Sequence, residues 1–309
     1  MQQLALLLKT YEGDRDYARR LIESIHRFNR DSIPLYIVAP KEELKSFEEF
    51  STAGAEIMSD ESVSDCLAQD NSVFGIRPGY INQEIVKLAF WEKGLCENYL
   101  CVDSDGVFIR DFYKSDFMYD SEIPYSVLVE DKELIVDPEY FRQYWQGRFE
   151  LLQIIKREIG LDDPRTLTCH GFAVFSSKVL RSFKEKYLER NGYTYLDALK
   201  KSPYEFSWYS FWLQKDKTIP IMFKEPFMKV FHNQSQHVDY LRKGIKLSDI
   251  ARAYVGVVVN ANYSRSFGLI RYEDNGAYKS NLSVREKVCS YLQRAVRRIL
   301  RILSPMSIR

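Results

Sequence analysis

Hydrophobic and polar positions along the first hundred residues fall into blocks that switch between two periods. LALLLK, from Leu4, is an apolar run of strand length. DRDYARRLIESIHRF then places Tyr17, Leu21, Ile25 and Phe28 on one helical face, with Asp14 as N-cap. IPLYIVAP is a second strand ended by Pro40, KEELKSFEEF a short helix, and GAEIMS a third strand. Asp60 to Gly79 is polar and irregular. Helical period returns in INQEIVKLAFWEKGL through Ile81, Ile85, Leu88 and Ala89, and NYLCV is the next strand. Strands alternating with helices predict an α/β fold, a mostly parallel sheet flanked by helices.

Downstream the pattern is mixed. PYSVLVE and GFAVFSS read as strands, PEYFRQYWQGRFELLQIIKREIG and SPYEFSWYSFWLQ as helices, and IPIMF, FMKVF and AYVGVVV as further strands. The segment Leu282 to Leu303 is strongly amphipathic, with a stripe through Val288, Leu292, Ala295, Ile299 and Leu303. The expected organisation is a domain over 1–281, divided into halves 1–112 and 113–281, and a basic tail over 282–309.

Composition narrows the function classes. At 309 residues, 45% apolar and 28% charged, the chain can bury a sizeable core. A net charge of +1 gives no whole-molecule reason to expect nucleic acid. Five scattered cysteines show neither metal spacing nor a disulfide framework, which suits a reducing compartment. The apolar run at the start is too short for a signal sequence, and no window approaches the roughly 20 apolar residues of a membrane span. These features lead to the expectation of a cytoplasmic protein.

The chemistry concentrates where NYLCV ends, at Asp103-Ser104-Asp105-Gly106. Ligands of parallel α/β sheets bind outside the carboxyl ends of the strands. Two carboxylates one residue apart on a turn can approach one hard divalent cation, Mn²⁺ or Mg²⁺, from the same side. Such a motif alone is more often a solvated turn; its place after an apolar strand and before GVFIRDF gives it weight.

Ile81 to Phe112 resembles the core of GT-A-type glycosyltransferases, most closely a bacterial family of surface-polysaccharide and lipopolysaccharide biosynthesis. The resemblance rests on Gln83, Lys87-Leu88, Asp103-Ser104-Asp105 and Phe112, with further blocks at HGFAVFSSKVL and YEFSWYSFWL, and spans about residues 4 to 235. The last block departs from the family pattern at Tyr204, in a serine place, and Ser210, in a glycine place.

The resemblance implies a GT-A fold and transfer of a hexosyl or N-acetylhexosaminyl group from a nucleoside diphosphate sugar, UDP-linked, to a hydroxyl of a glycan or lipid-linked acceptor. It implies a metal held by Asp103 and Asp105, with His232 favoured over His237 as a third ligand. Glu205 is the candidate base of an inverting reaction. Donor contacts are expected from Thr10, Tyr11, Asp14, Gln83, Lys87 and Ser104, and acceptor contacts from His170, Gly171 and Tyr209. The plain alternatives are a dipole-complementing glutamate, a solvated lysine and a surface histidine. Two other functions stay open: a nucleotidyltransferase on a similar sheet, and a catalytically silent glycan-binding or scaffold protein.

The tail carries seven basic residues from Ser283 onward against Glu286 alone, a net +6 that leaves the rest of the chain at −5. A basic amphipathic helix beside an acidic body fits an anionic membrane surface, with Arg294, Arg297, Arg298 and Arg301 as headgroup contacts, and places the protein at the inner face of the cell membrane. The competing reading docks the helix on its own domain or a partner subunit. Truncation before Ser283 should therefore abolish sedimentation with anionic liposomes and leave a folded protein. Full-length binding should weaken with salt, because charge is screened within about 10 Å at 0.1 M. A truncated chain that melts early or aggregates would make the tail structural instead.

Overall fold

The computed structural model describes residues 2–51, 54–169 and 172–264. The tail, with Arg294, Arg297, Arg298 and Arg301, and the pair His170 and Gly171 lie outside the described residues. The main sheet contains β1 (Gln2–Lys9), β2 (Leu35–Ala39), β3 (Ala55–Ser59), β4 (Cys96–Val102) and, later in the chain, Ala173–Ser176. Between β4 and that last strand come β5 (Gly106–Phe108) and the two-residue β6 (Tyr125–Ser126), so Ala173–Ser176 is β7. The order is β3-β2-β1-β4-β7. Every pairing is parallel except β4 with β7, where Cys101 faces Ala173. The expected mostly parallel sheet flanked by helices is the observed one.

The apolar run of β1 is explained by its central place. Leu4 to Leu8 are fully buried because helices cover both faces of a parallel sheet. Helix α1 (Arg15–Phe28) packs Tyr17, Leu21 and Ile25 inward, as the spacing predicts, together with Ala18 and Ile22. Asp14 stands at its N-cap position without capping it through its side chain. Helix α2 (Pro78–Ala89) starts at a proline whose missing N–H costs nothing there. After a short 3₁₀ turn, Gly94 reverses the chain at φ 65°, a left-handed conformation that glycine adopts without penalty.

The second half departs from the predicted pattern in two places. PYSVLVE shrinks to β6, since a ladder needs a partner. Among the described residues only β8 (Met222–Phe223) and two isolated bridges, Pro124 to Met118 and Val129 to Thr168, supply it. The long predicted helix forms without a gap from Pro138 to Ile159 and differs only in a π-helical turn over Phe141–Trp145; its part after that turn, Gln146–Ile159, is α3. KEELKSFEEF winds as a 3₁₀ helix. Helix α4 (Glu205–Asp216) is buried on nearly every side, Ser207 through Leu213 included, and ties its indoles to Ser202 and Ser182. A small sheet of β5, β9 (Met228–Phe231) and β10 (Gly256–Val259) lies beyond β4.

One hydrophobic cluster runs from β1 to Val258, across the expected division at Phe112, where Phe108 and Phe112 stack at 4.0 Å. No helix among the described residues is long and apolar enough to cross a membrane.

Gly256 sits where a side chain has no room. A methyl there would overlap Met228 and the Val107 carbonyl oxygen, and a backbone atom within a paired strand cannot step aside. Gly256→Ala should destabilise the fold by about 1–3 kcal/mol, the usual cost of overpacking. Gly147→Ala, in open space on α3, should be neutral or stabilising by up to about 1 kcal/mol. Urea denaturation of both variants checks the contrast, and equal midpoints would refute it.

Candidate functional site

The turn after β4 is tight: the Gly106 N–H donates to the Asp103 carbonyl at 3.0 Å. A side chain at Gly106 would overlap the Phe172 ring. Glycine thus lets β4 fold into β5 against an aromatic wall, and this sets Asp103 and Asp105 at the end of the strand. From α2, Gln83 and Lys87, one turn apart on the same face, both reach Asp103 Oδ1, at 3.3 and 2.8 Å. The Lys87 ammonium also donates to Glu205 Oε1 at 2.9 Å and lies 4.5 Å from the centre of the Phe206 ring.

Lys87 is buried. Burial by itself would lower its pKa, but the Asp103 and Glu205 carboxylates outweigh that and hold it well above the ordinary lysine value. A buried ion pair that loses one partner typically costs about 3–5 kcal/mol. Gln83, Lys87, Asp103 and Glu205 therefore form one connected group, assembled from α2, β4 and α4.

Asp105 is half-buried on the other side of the turn. Its Oδ2 accepts from the Ala261 N–H at 2.9 Å and its carbonyl from the Val259 N–H at 3.1 Å, so β10 holds it in place. Burial, and then the neighbouring Asp103 carboxylate, push its pKa up to about 7. Ser104, between them, donates to Asp14 Oδ2 at 3.2 Å, which links the turn to the start of α1.

The adjacent end of β1 carries Thr10 and Tyr11. Thr10 is buried with its hydroxyl unpartnered, and Arg77 lies over the Tyr11 ring at 5.1 Å. Beneath them the buried Lys9 binds Asp60 at 3.1 Å. Asp60 is nevertheless raised to about 6 because burial outweighs that partner. A cavity of about 490 Å³ opens beside Asp105, lined by Tyr17, Arg20 and Ser24 of α1 and by Val107, Val257 and Val259 of the small sheet.

The expected residues thus separate into three groups. Thr10, Tyr11, Asp14, Gln83, Lys87, Ser104, Asp103, Asp105 and Glu205 converge on the carboxyl ends of β1 and β4. His232 follows β9 with its ring against Tyr140 at 5.5 Å, and the structure does not bring it to the two aspartates as a third ligand. His237 is in the core, stacked on Phe231. Tyr209 accepts the Ser176 N–H at 2.9 Å and stacks on Phe175, which places it in the packing between β7 and α4 and not on an open surface.

Among the described residues no group of three or more His, Cys, Asp or Glu could hold a metal ion. Two carboxylates from one turn still suit Mg²⁺ or Mn²⁺, which typically take one or two protein carboxylates and complete their shell with water and substrate phosphate.

Glu84 was missed by the sequence reading. It is buried one turn before Lys87, with both carboxylate oxygens unpartnered, and burial and Glu205 raise its pKa well above the glutamate range. Its spacing from Ile81 and Leu88, three and four residues, is that of the buried stripe and was the available signal.

A profile described as a family of unknown function, DUF6492, matches residues 3–243. The chain belongs to this family. No curated protein sequence matches it. Among solved structures, this DUF6492 member is similar to mouse xyloside xylosyltransferase 1 in its apo form. That match has 10% identity and a TM-score of 0.44, and covers 84% of this chain and 98% of the other. It is also similar to the galactosyltransferase LgtC in complex with donor and acceptor sugar analogues, at 11% identity and TM-score 0.44, over 93% and 95% of the two chains.

Asp105 makes a pH test of this geometry possible. A carboxyl held above its ordinary value favours folding while protonated. That contribution is complete below about 3.8 and is lost as pH rises through about 7. Asp105→Asn keeps the shape and cannot ionise. In metal-free buffer the variant should gain on the wild type between pH 5 and pH 8.5 by on the order of 1–3 kcal/mol. Denaturation curves at both pH values check this, and a pH-independent difference would contradict it.

Proposed function

We propose that this protein is a metal-dependent glycosyltransferase of the GT-A kind, which moves a sugar from a UDP-linked donor to a hydroxyl of a surface-glycan or lipid-linked acceptor. The observation that carries the proposal is the Asp103-Ser104-Asp105 turn at the carboxyl end of β4, joined through Lys87 to Glu205. Its place is the crevice where open α/β sheets bind their ligands. The motif resemblance points the same way.

In this reading Asp103 and Asp105 hold a divalent cation, which when bound neutralises charge on the donor diphosphate. The chain's own residues do the rest. Lys87 keeps Asp103 oriented through a direct ion pair and adds a fixed positive charge beside the phosphates. Thr10 offers a buried, unpartnered hydroxyl at the end of β1, and Asp14 fixes Ser104.

Glu205 gives one oxygen to Lys87, while Oε2 has no hydrogen-bond partner among the described residues. That oxygen takes the acceptor hydroxyl's proton as the hydroxyl oxygen bonds to the anomeric carbon. The bond from that carbon to the diphosphate breaks with its electron pair on the leaving group, and configuration inverts. The basic tail would keep the enzyme at the inner face of the membrane, where a lipid-linked acceptor is reached.

The test is a screen of nucleotide sugars with Mn²⁺, read as nucleotide release. A UDP-sugar should be hydrolysed slowly to UDP, and Asp103→Asn should abolish this. Release of pyrophosphate would make the protein a nucleotidyltransferase, and no release with any donor would favour a silent binding protein. Once donor and acceptor are in hand, Glu205→Gln should lower turnover about 10²-fold or more, the scale of general-base catalysis. Near-normal turnover would restrict Glu205 to positioning Lys87.

A further inference from the structure

The polar group around Lys87 continues through Glu205 to Tyr204, residues that do not line the cavity beside Asp105. Tyr204, next to Glu205, is half-buried, and the Arg148 guanidinium lies over its ring at 5.2 Å. Arg148 sits in the first turn of α3 and is half-buried. It lies beside the Tyr140 phenol, and its Nε, shielded from solvent, has no hydrogen-bond partner. Among the described residues no carboxylate comes within ion-pair distance of it; Asp131 acts on it only from farther off. Buried Glu84 also acts on Tyr204, and Tyr80, beside the Glu84 carboxylate, has 41% of its surface exposed. Tyr80, Tyr140 and Tyr204 thus surround a cation that has a ring at its face and an unpaired edge.

We propose that this surface, from Arg148 across Tyr204 to Glu205, is the acceptor subsite, and that Arg148 binds an anionic group on the acceptor. The assignment of this ligand as the acceptor rests on the glycosyltransferase reading; binding of an anionic sugar at Arg148 does not. A guanidinium held over an aromatic ring still has its fork of N–H donors at its own edge, and that fork matches carboxylate and phosphate oxygens two at a time. The tyrosine faces supply flat apolar area for a sugar ring, with their hydroxyls at its rim. Two anions share this chemistry: the carboxylate of an acidic sugar, and a phosphate on a phosphosugar or lipid carrier.

The surface is also on the appropriate side. The cavity lined by α1 touches Asp105, whereas the Arg148 surface reaches Asp103 through Lys87 and Glu205. The turn thus stands between two binding regions, as group transfer between two ligands requires.

Binding of methyl glucoside, glucuronic acid and glucose 6-phosphate to the full-length protein tests the proposal by calorimetry, without turnover. At least one anionic probe should bind about tenfold tighter than the neutral one, equivalent to about 1.4 kcal/mol. The tighter of the two identifies the carboxylate or the phosphate as the source. Arg148→Gln should erase the preference, and Arg148→Lys, which keeps charge without the fork, should retain part of it.

A measurement on the wild type covers the case of an unfolded variant. The preferred anion should protect Arg148 from phenylglyoxal, read by peptide mass, and methyl glucoside should not. Equal affinity for all three probes, a preference that survives Arg148→Gln, or equal modification with and without the anion would each overturn the proposal. Failure to hydrolyse any donor would instead count against the glycosyltransferase reading and leave the anion result standing.

Discussion

The architecture around the site depends on one buried ammonium. Lys87 emerges from α2 into a region with almost no water and is met there by Asp103 from β4 and Glu205 from α4. Three elements far apart in sequence are thereby tied to one nitrogen. A bare lysine at that depth would lose its proton or unfold its surroundings, since burial disfavours the charged form. Two carboxylates at hydrogen-bonding distance reverse the balance, and the positive charge becomes a fixture of the site. Such an arrangement is weak as a source of stability and strong as a constraint, because its parts cannot be removed singly.

That constraint explains the asymmetry of the two aspartates. Asp103 has a cation within the protein, whereas Asp105 has backbone N–H donors and a nearby like charge. The first can be oriented before any ligand arrives. Burial and that like charge raise the pKa of the second. A motif symmetrical on paper is thus held in two ways: a side-chain cation anchors one carboxylate, and a backbone N–H just after β10 anchors the other.

Legibility in the sequence followed the physics of each feature. The strands β1, β2 and β4 were readable because a parallel strand covered on both faces needs a continuous apolar run, and few other contexts produce one. The aspartate turn was readable because its position after such a run has a topological meaning. Glu84 and the burial of Lys87 were not read, since a charged residue on a helix is normally assigned to solvent, although both sit near the spacing of the apolar stripe. The short strand at Tyr125 escaped because its length is set by partners distant in sequence, and the π-helical turn before Gln146 left no mark in the periodicity. Arg148 had no signal at all: its value lies in the Tyr204 ring beneath it, 56 positions away.

The last of these points bears on how the site is built. The groups nearest Asp103 come from α2, which follows the polar stretch after β3, and from α4, which is buried on nearly every side. Such a helix is a rigid platform, so Glu205 at its first position is fixed by the packing of Trp208, Phe211 and Trp212 behind it. Arg148 belongs to a different kind of element, a helix from Pro138 interrupted before it by a π-helical turn, with Phe141 and Tyr144 exposed. Rigid elements hold the carboxylates proposed to act in transfer, and a π-helical segment borders the surface proposed for the acceptor. Chemistry needs fixed geometry, whereas acceptors vary in shape. A change of acceptor could therefore be accommodated by altering residues 131–149 while Lys87, Asp103 and Glu205 stay in place.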